Sequence, residues 1–323
     1  MFCARMSWVV TAFVFCGVLG TATSQASDAF PSRPVKLIVQ TAAGSSIDVA
    51  ARIVAEALSR KWGQQAYVLN QPGAGGSIAA KALASAAPDG ETLLFAASSI
   101  FIALPELQKS QAAAIASFVP ISFVGEQPMA VAVTASLEAK TFSELLAAIK
   151  RTPGGFNVAV STRGGLSHLS GEALREAAGV EMKFINYPGT AQALSDVIAG
   201  RVPVLVDSLS AFIGPAAGGQ VRILAVGSAE RLKNMPDLPA ASETLPGFNA
   251  TAWLAIVAPP ATPAPLAQKI AGDVGAVLSD PAIVKRLEEL GTFVKRKSPD
   301  ELAAFIEVQR TKWAPVVRKF ATP

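Results

Sequence analysis

The feature that most constrains this 323-residue chain is a short apolar run, Val35-Lys36-Leu37-Ile38-Val39, that gives way within a few residues to a helix start. Five mainly apolar residues bounded by turn formers read as a buried strand. Gly44 permits a tight backbone path, Ser45 followed three residues on by Asp48 fits a capping box, and residues 49–58 carry helical periodicity. A strand that turns directly into a helix leaves unpaired amides and the positive dipole end facing the space above it, a setting that holds anions. Gly44, Ser45, Ser46 and Asp48 also fit an ordinary capped helix, so the surrounding pattern has to decide.

That pattern repeats. A strand over residues 65–70, the loop Gln71-Pro72-Gly73-Ala74-Gly75-Gly76, a helix over 77–85, the turn Pro88-Asp89-Gly90 and a strand over 92–96 ending at Ser98 and Ser99 complete a βαβαβ unit. A second set follows: a helix over 141–150 opened by Thr141 and Glu144, then a strand over 156–160 ending in Ser161-Thr162-Arg163-Gly164-Gly165. A helix over 167–178, a strand over 182–185, the loop Tyr187-Pro188-Gly189, a helix over 190–199 and a strand over 202–206 ending at Asp207 close the set. The fold class is therefore α/β, with two doubly wound halves. In open α/β sheets the ligand crevice lies beyond the carboxyl ends of the strands, where all of these polar loops fall. Crossovers between the halves are expected near residues 124–127 and 247–252, with a helical tail over 266–278, 281–290 and 299–320 returning to the first half.

At the N-terminus, Arg5, an apolar stretch over residues 8–19 and the small-residue site Ser24-Gln25-Ala26 read as a secretory signal peptide over residues 1–26. The apolar stretch falls short of the roughly 20 residues of a membrane span, and Phe15 before Cys16 does not suit lipidation. Both cysteines, Cys3 and Cys16, lie in the leader. The mature chain thus has no disulfide, thiol nucleophile or thiolate metal site. Removing Arg5 takes the net charge from +4 to +3. The bases are scattered without interleaved aromatics, which argues against nucleic acid as a partner. About 300 mature residues suit two domains.

Four blocks carry a specific resemblance over nearly the whole mature chain: Phe30-Pro31-Ser32-Arg33-Pro34-Val35, Asn70-Gln71-Pro72-Gly73-Ala74-Gly75-Gly76, Ala87-Pro88-Asp89-Gly90-Glu91-Thr92-Leu93-Leu94, and Tyr187-Pro188-Gly189-Thr190-Ala191 with Ile198-Ala199-Gly200 and Asp207. In them the chain resembles the Bug-type solute receptors of tripartite tricarboxylate transporters. The resemblance implies a type II periplasmic binding protein with two crossovers and a ligand cleft between its domains. Residues 27–126 and 250–323 would form domain 1 and residues 127–249 domain 2. It implies a monomeric receptor in the periplasm that takes a small carboxylate and delivers it to membrane permease subunits, with no cofactor. The implied ligand-binding residues are Thr41, Gly44, Ser45, Ser46 and Asp48 in one loop and Tyr187, Gly189, Thr190 and Ala191 in the other. Ser98, Ser99, Ser161, Arg163, His168 and Asp207 surround them. Amides and hydroxyls at helix starts satisfy an anion without burying an opposing charge, and bridging water lets one cleft accept solutes of different length.

The chain departs from the family in two places. The Pro-aromatic-x-x-Gly-Gly loop is replaced by Gln40-Thr41-Ala42-Ala43-Gly44-Ser45, and Pro188 stands where a base usually follows the tyrosine. Arg163 is the nearest substitute; its plain alternative is a solvated surface arginine. His168 is the sole histidine, so a zinc site is not expected. A Ser-His-acid triad would have to recruit it without any Gly-x-Ser-x-Gly elbow. Hydrogen bonding under a loop or ligand contact is the better reading, and the chain is not expected to be an enzyme. Asp48 reads as a cap that orders its loop, since a bare carboxylate would repel an anion. Gly73-Ala74-Gly75-Gly76 lacks the Lys-Ser/Thr of a phosphate loop and reads as a tight strand-to-helix turn. Trp253, near the second crossover, is a candidate wall of the cleft. A receptor that signals to a sensor kinase is the alternative function, and a hydrolase on the same fold a more distant one.

Overall fold

The computed structural model describes residues 30–161 and 165–321; the leader and Arg163 lie outside them. The first half runs β1 (Val35–Val39), α1 (Ser46–Trp62), β2 (Ala66–Asn70), α2 (Ser77–Ala84) and β3 (Thr92–Ala97). Three short helices, α3 (Ser99–Ile102), α4 (Leu104–Leu107) and α5 (Ala112–Ala116), then lead into β4 (Val119–Thr134). The second half is α6 (Phe142–Arg151), β5 (Phe156–Val160), α7 (Leu166–Ala178), β6 (Met182–Asn186), α8 (Thr190–Ile198), β7 (Val204–Ser208), α9 (Ser210–Ala217) and β8 (Val221–Val226). The return comprises β9 (Thr251–Ala258), α10 (Ala264–Val277), α11 (Pro281–Glu289), β10 (Phe293–Val294) and α12 (Pro299–Ala321). Helix starts follow the capping chemistry: Thr141 caps α6 by accepting from the Glu144 amide at 3.2 Å, and Ser45 caps α1 by accepting from Asp48.

The strands form one sheet in the order β2-β1-β3-β9-β4-β7-β5-β6, with β8 and β10 also paired to β4. Parallel neighbours β2-β1-β3 make one lobe and parallel neighbours β7-β5-β6 the other. β4, 16 residues long, belongs to both. Its first part pairs with β9, and its last part with β7 and β8. The sequence pattern placed a crossover inside this strand and read no single strand there. Pro120 and Pro128 explain why, since proline removes a ladder donor and is uncommon in central strands. The structure accommodates the first with a shift of register beside it, and the second where β4 passes from β9 to β7.

Because β4 is antiparallel to β7 and to β9, and β9 to β3, strands of the two lobes point at one another. Ala97, the last residue of β3, lies level through Leu254 with Gly125, whereas Ser208, the last of β7, lies level with Met129. At about 3.3 Å per residue those levels are roughly 13 Å apart along the strands. The carboxyl ends of both parallel sets therefore converge on the stretch of β4 between Gly125 and Met129.

The two faces of the sheet differ. On one, a single core runs unbroken from Leu94 and Phe123 to Val131 and Val204 and takes in Trp313 and Val317 of α12. On the other it divides into two clusters, one around Leu37, Leu93 and Ile256 under α1 and α10, the other around Ala130 and Leu205 under α8 and α9. β10 spans the division, with Phe293 packed on the second cluster and Val294 on the first. Trp253 is buried (1 % exposed), stacked on Phe101 at 5.4 Å and on Phe123 at 6.1 Å, so it is core and not a wall of the expected cleft.

Where the chain passes between lobes it is tightly packed. The Gly227 amide donates to the Met129 carbonyl, its carbonyl accepts from Ala250 at 2.8 Å, and a Cβ at Gly227 would stand 2.4 Å from the Ala250 carbonyl oxygen. Gly227→Ala should therefore force these backbones apart at a cost of about 1–3 kcal/mol, seen as a melting temperature several degrees lower. An unchanged melt would mean that the crossing is not closely held.

Candidate functional site

Above β1 the loop from Thr41 to Asp48 is built around one carboxylate. Gly44 adopts φ +82°, a left-handed turn that glycine enters freely, and its amide donates to Asp48 Oδ2 at 2.8 Å. Arg52 Nε donates to the same oxygen at 3.0 Å and Asn70 Nδ2 to Oδ1 at 2.8 Å. Asn70 also donates to the Thr41 carbonyl, and the Thr41 and Ser45 hydroxyls lie 2.7 Å apart. Burial pushes the Asp48 carboxyl up, but the Arg52, Gly44 and Asn70 hydrogen bonds outweigh it and hold the group below the usual 3.8. Asp48 thus faces inward and orders the loop, and the amides of Ser46 and Ile47, in the first turn of α1, have no intrahelical acceptor.

The second lobe presents a different arrangement. Asp207, near the end of β7, is 5 % exposed and accepts from Thr190 Oγ1 at 3.0 Å, from the Ser208 amide at 2.7 Å and from the Ser161 side chain. Burial dominates over these three bonds and raises its carboxyl above 3.8. The Ser161 amide donates to Ser167 Oγ at 2.9 Å, and Ser167 Oγ in turn donates to the Val206 carbonyl. Tyr187 is fixed by its amide to the Val160 carbonyl and by its hydroxyl to Asp196 Oδ2 at 2.6 Å; burial, then the bond to Asp196, pushes its phenol up to about 12. Gly189 precedes helix α8 and offers no side-chain cap, and the first-turn amides of Thr190 and Ala191 have no intrahelical acceptor.

The structure brings Thr41, Gly44, Ser45, Ser46, Asp48, Ser98 and Ser99 together at the strand ends of one lobe, and Ser161, Tyr187, Gly189, Thr190, Ala191 and Asp207 at those of the other. Ser98 is buried, and its amide donates to the Trp253 carbonyl at 2.9 Å. His168 is 5 % exposed on α7, with Nε2 3.7 Å from Glu172 and its ring against Phe184. Arg163 is not among the described residues. Sequence reasoning missed Gln40, Asn70, Arg52 and Ser208. Two of them left a signal, Asn70 as the first residue of the Asn-Gln-Pro-Gly block and Gln40 as the first residue of the loop that departs from the family pattern. A groove of about 520 Å³ lies elsewhere, between the start of β4, α10 and the residues before α12.

Two α/β lobes on one sheet, with opposed strand ends and helix starts across a gap, define a two-domain solute-binding protein of the periplasmic type. The profile described as tripartite tricarboxylate transporter family receptor matches residues 50–321. Protein BugT of Bordetella pertussis is 30 % identical over 309 residues, 95 % of each chain. Among solved structures, Rpa4515 of R. palustris with adipate superposes with a TM-score of 0.80 at 29 % identity, covering 90 % of this chain and 98 % of that one. MatC of Rhodopseudomonas palustris with bound malate gives 0.76 at 30 %, covering 89 % and 100 %. The chain belongs to the Bug-type receptors of the tripartite tricarboxylate transporter family, whose fold is that of solute-binding proteins and not of enzymes. Among the described residues no helix is long and apolar enough to cross a membrane.

The opposite shifts of the two carboxyls yield a test. A carboxyl held low contributes stability that is complete above its unfolded value and is lost as pH falls through the lowered one. Asp48→Asn should therefore cost about 1–3 kcal/mol at pH 7 by urea unfolding, with the gap to wild type closing as the pH falls below 3.8. A gap that does not narrow at all as the pH falls below 3.8 would show that ionisation of Asp48 is not what holds the loop.

Proposed function

We propose that the mature chain is a periplasmic receptor that captures a small organic carboxylate between its lobes and delivers it to the permease of a tripartite transporter. The observation that carries this reading is the pair of helix starts, α1 after β1 and α8 after β6, each with free amides, at strand ends that face one gap. Backbone amides and a helix dipole stabilise an anion without a buried countercharge whose desolvation would be costly. The relatives solved with adipate and with malate carry small dicarboxylates, which supports the same ligand class here.

On this reading the ligand is held by the loop of Thr41, Gly44, Ser45 and Ser46 and by Tyr187, Gly189, Thr190 and Ala191, with Ser98, Ser99, Ser161, Arg163 and His168 around it. Asp48 and Asp207 act behind those loops, as the bonds they accept suggest. Residues 1–26 direct export. Residues 27–126 with 250–323 and residues 127–249 move as two domains of a monomer. Ligand shifts the population toward the closed state only as far as both lobes touch it there, and the permease reads the closed surface.

A thermal-shift screen of malate, adipate, citrate, glutamate and benzoate beside their neutral amides should raise the melt for at least one acid and for none of the amides. Calorimetry on that acid should give an affinity of about micromolar or tighter, near −8 kcal/mol. If no acid moves the melt, or amides move it equally, the anion reading fails.

A further inference from the structure

Gln40 takes the place of the family's loop proline, yet the grip described above makes no use of it. It is buried at the carboxyl end of β1, and its side chain reaches across to the end of β3. Oε1 accepts from the Ala97 amide at 3.0 Å and Nε2 donates to Ser99 Oγ at 2.9 Å. The Ala97 amide can only donate, so the oxygen of the Gln40 amide must face it and the NH₂ must face Ser99. Ser99 Oγ is therefore the acceptor in its bond with Gln40. Among the described residues no group accepts the Ser99 proton.

Ser99 is half-buried at the start of α3, just past the carboxyl end of β3. The glycine turn before α2 completes the seat. Gly76 has φ +97°, and a Cβ there would come 2.6 Å from Ile100 Cδ1 and 3.3 Å from Gln40 Nε2. A larger residue would press on the amide that sets Ser99. In the second lobe the Thr190 hydroxyl is committed to donating to Asp207.

We propose that Gln40 is a positioning residue that fixes Ser99 as a hydrogen-bond donor, so that the Ser99 hydroxyl donates to the carboxylate held between the lobes. This rests on the receptor reading above. It makes the first lobe the source of the site's oriented side-chain donor, which favours a ligand group with lone pairs over one that brings protons of its own.

Gln40→Glu tests it with little change of shape. A carboxylate at position 40 keeps the Ala97 bond but takes the Ser99 proton, turning the hydroxyl away from the gap; burial raises its pKa, so acid restores an O–H that can donate to Ser99. The probe is whichever of malate, adipate, citrate, glutamate and benzoate the wild type binds most tightly, measured by calorimetry at pH 8 and pH 5.5 against wild type at the same pH. Gln40→Glu should bind at least about tenfold more weakly at pH 8, the loss expected when a charged acceptor loses one donor, and recover most of it at pH 5.5. Ser99→Ala should lose a similar factor at both pH values, and the double variant should be no weaker than Ser99→Ala alone.

Wild-type affinity in Ser99→Ala, or losses that multiply in the double variant, would each overturn the inference. If Gln40→Glu does not fold, Gln40→Met carries the same cycle with Ser99→Ala: a loss that vanishes in the Ser99→Ala background supports the proposal, and one that persists overturns it. A wild type that binds no acid of the panel sinks the receptor reading itself. A wild type that binds while Ser99→Ala and both Gln40 variants bind equally well sinks only the role of Gln40.

Discussion

The structure depends on the backbone ladder of β4, which is hydrogen-bonded to β9 and β10 in one lobe and to β7 and β8 in the other. A strand buried on both sides must satisfy every amide and carbonyl along its length, and each neighbour then has its direction fixed. Antiparallel pairing on both flanks leaves β1 and β3 running one way and β5 and β7 the other. The opposition of the strand ends, and with it the gap, follows from hydrogen-bond direction before any side chain is considered.

The sequence made the parallel units legible because each is local. An apolar run, a glycine or proline turn and a capped helix sit within about thirty residues, and their periodicities differ sharply. What joins the units was not legible. β4 carries two prolines, its partners lie far away in sequence, and β10 is only two residues long, so neither has a local signature. The polar residues at strand ends could be listed from the pattern, but not the way each faces. Asp48 reads in sequence as a cap that orders its loop, whereas nothing local to Asp207, near the end of β7, tells how its carboxyl is held. Only the packing shows Asp48 held low by an arginine, an amide and an asparagine, and Asp207 raised by burial that its three donors do not offset. Gln40 showed in sequence only as a departure from the family's loop, because its role comes from β3, 57 residues away in the chain.

The asymmetry between the faces of the sheet bears on motion. On one face an unbroken core, closed over by α12, ties the lobes together, with Arg318 of that helix on Glu106 and Lys319 on Glu176 of α7. On the other face the core is divided, and β10 spans the division. Rotation about the continuous face disturbs little buried apolar surface, whereas sliding or shearing would break much more of it. The proposed closure is thus confined to a swing that narrows the divided side.

The bare helix start at Gly189 has a consequence of another kind. A side chain that binds an anion can be exchanged by a single codon change, but a backbone amide survives every substitution except proline. Where selectivity rests on such amides, inheritance can vary the walls of a binding site freely while its preferred sign of charge stays written in the main chain. A lineage of receptors built this way would be expected to diversify in the shape of what each member carries long before any member abandoned anions.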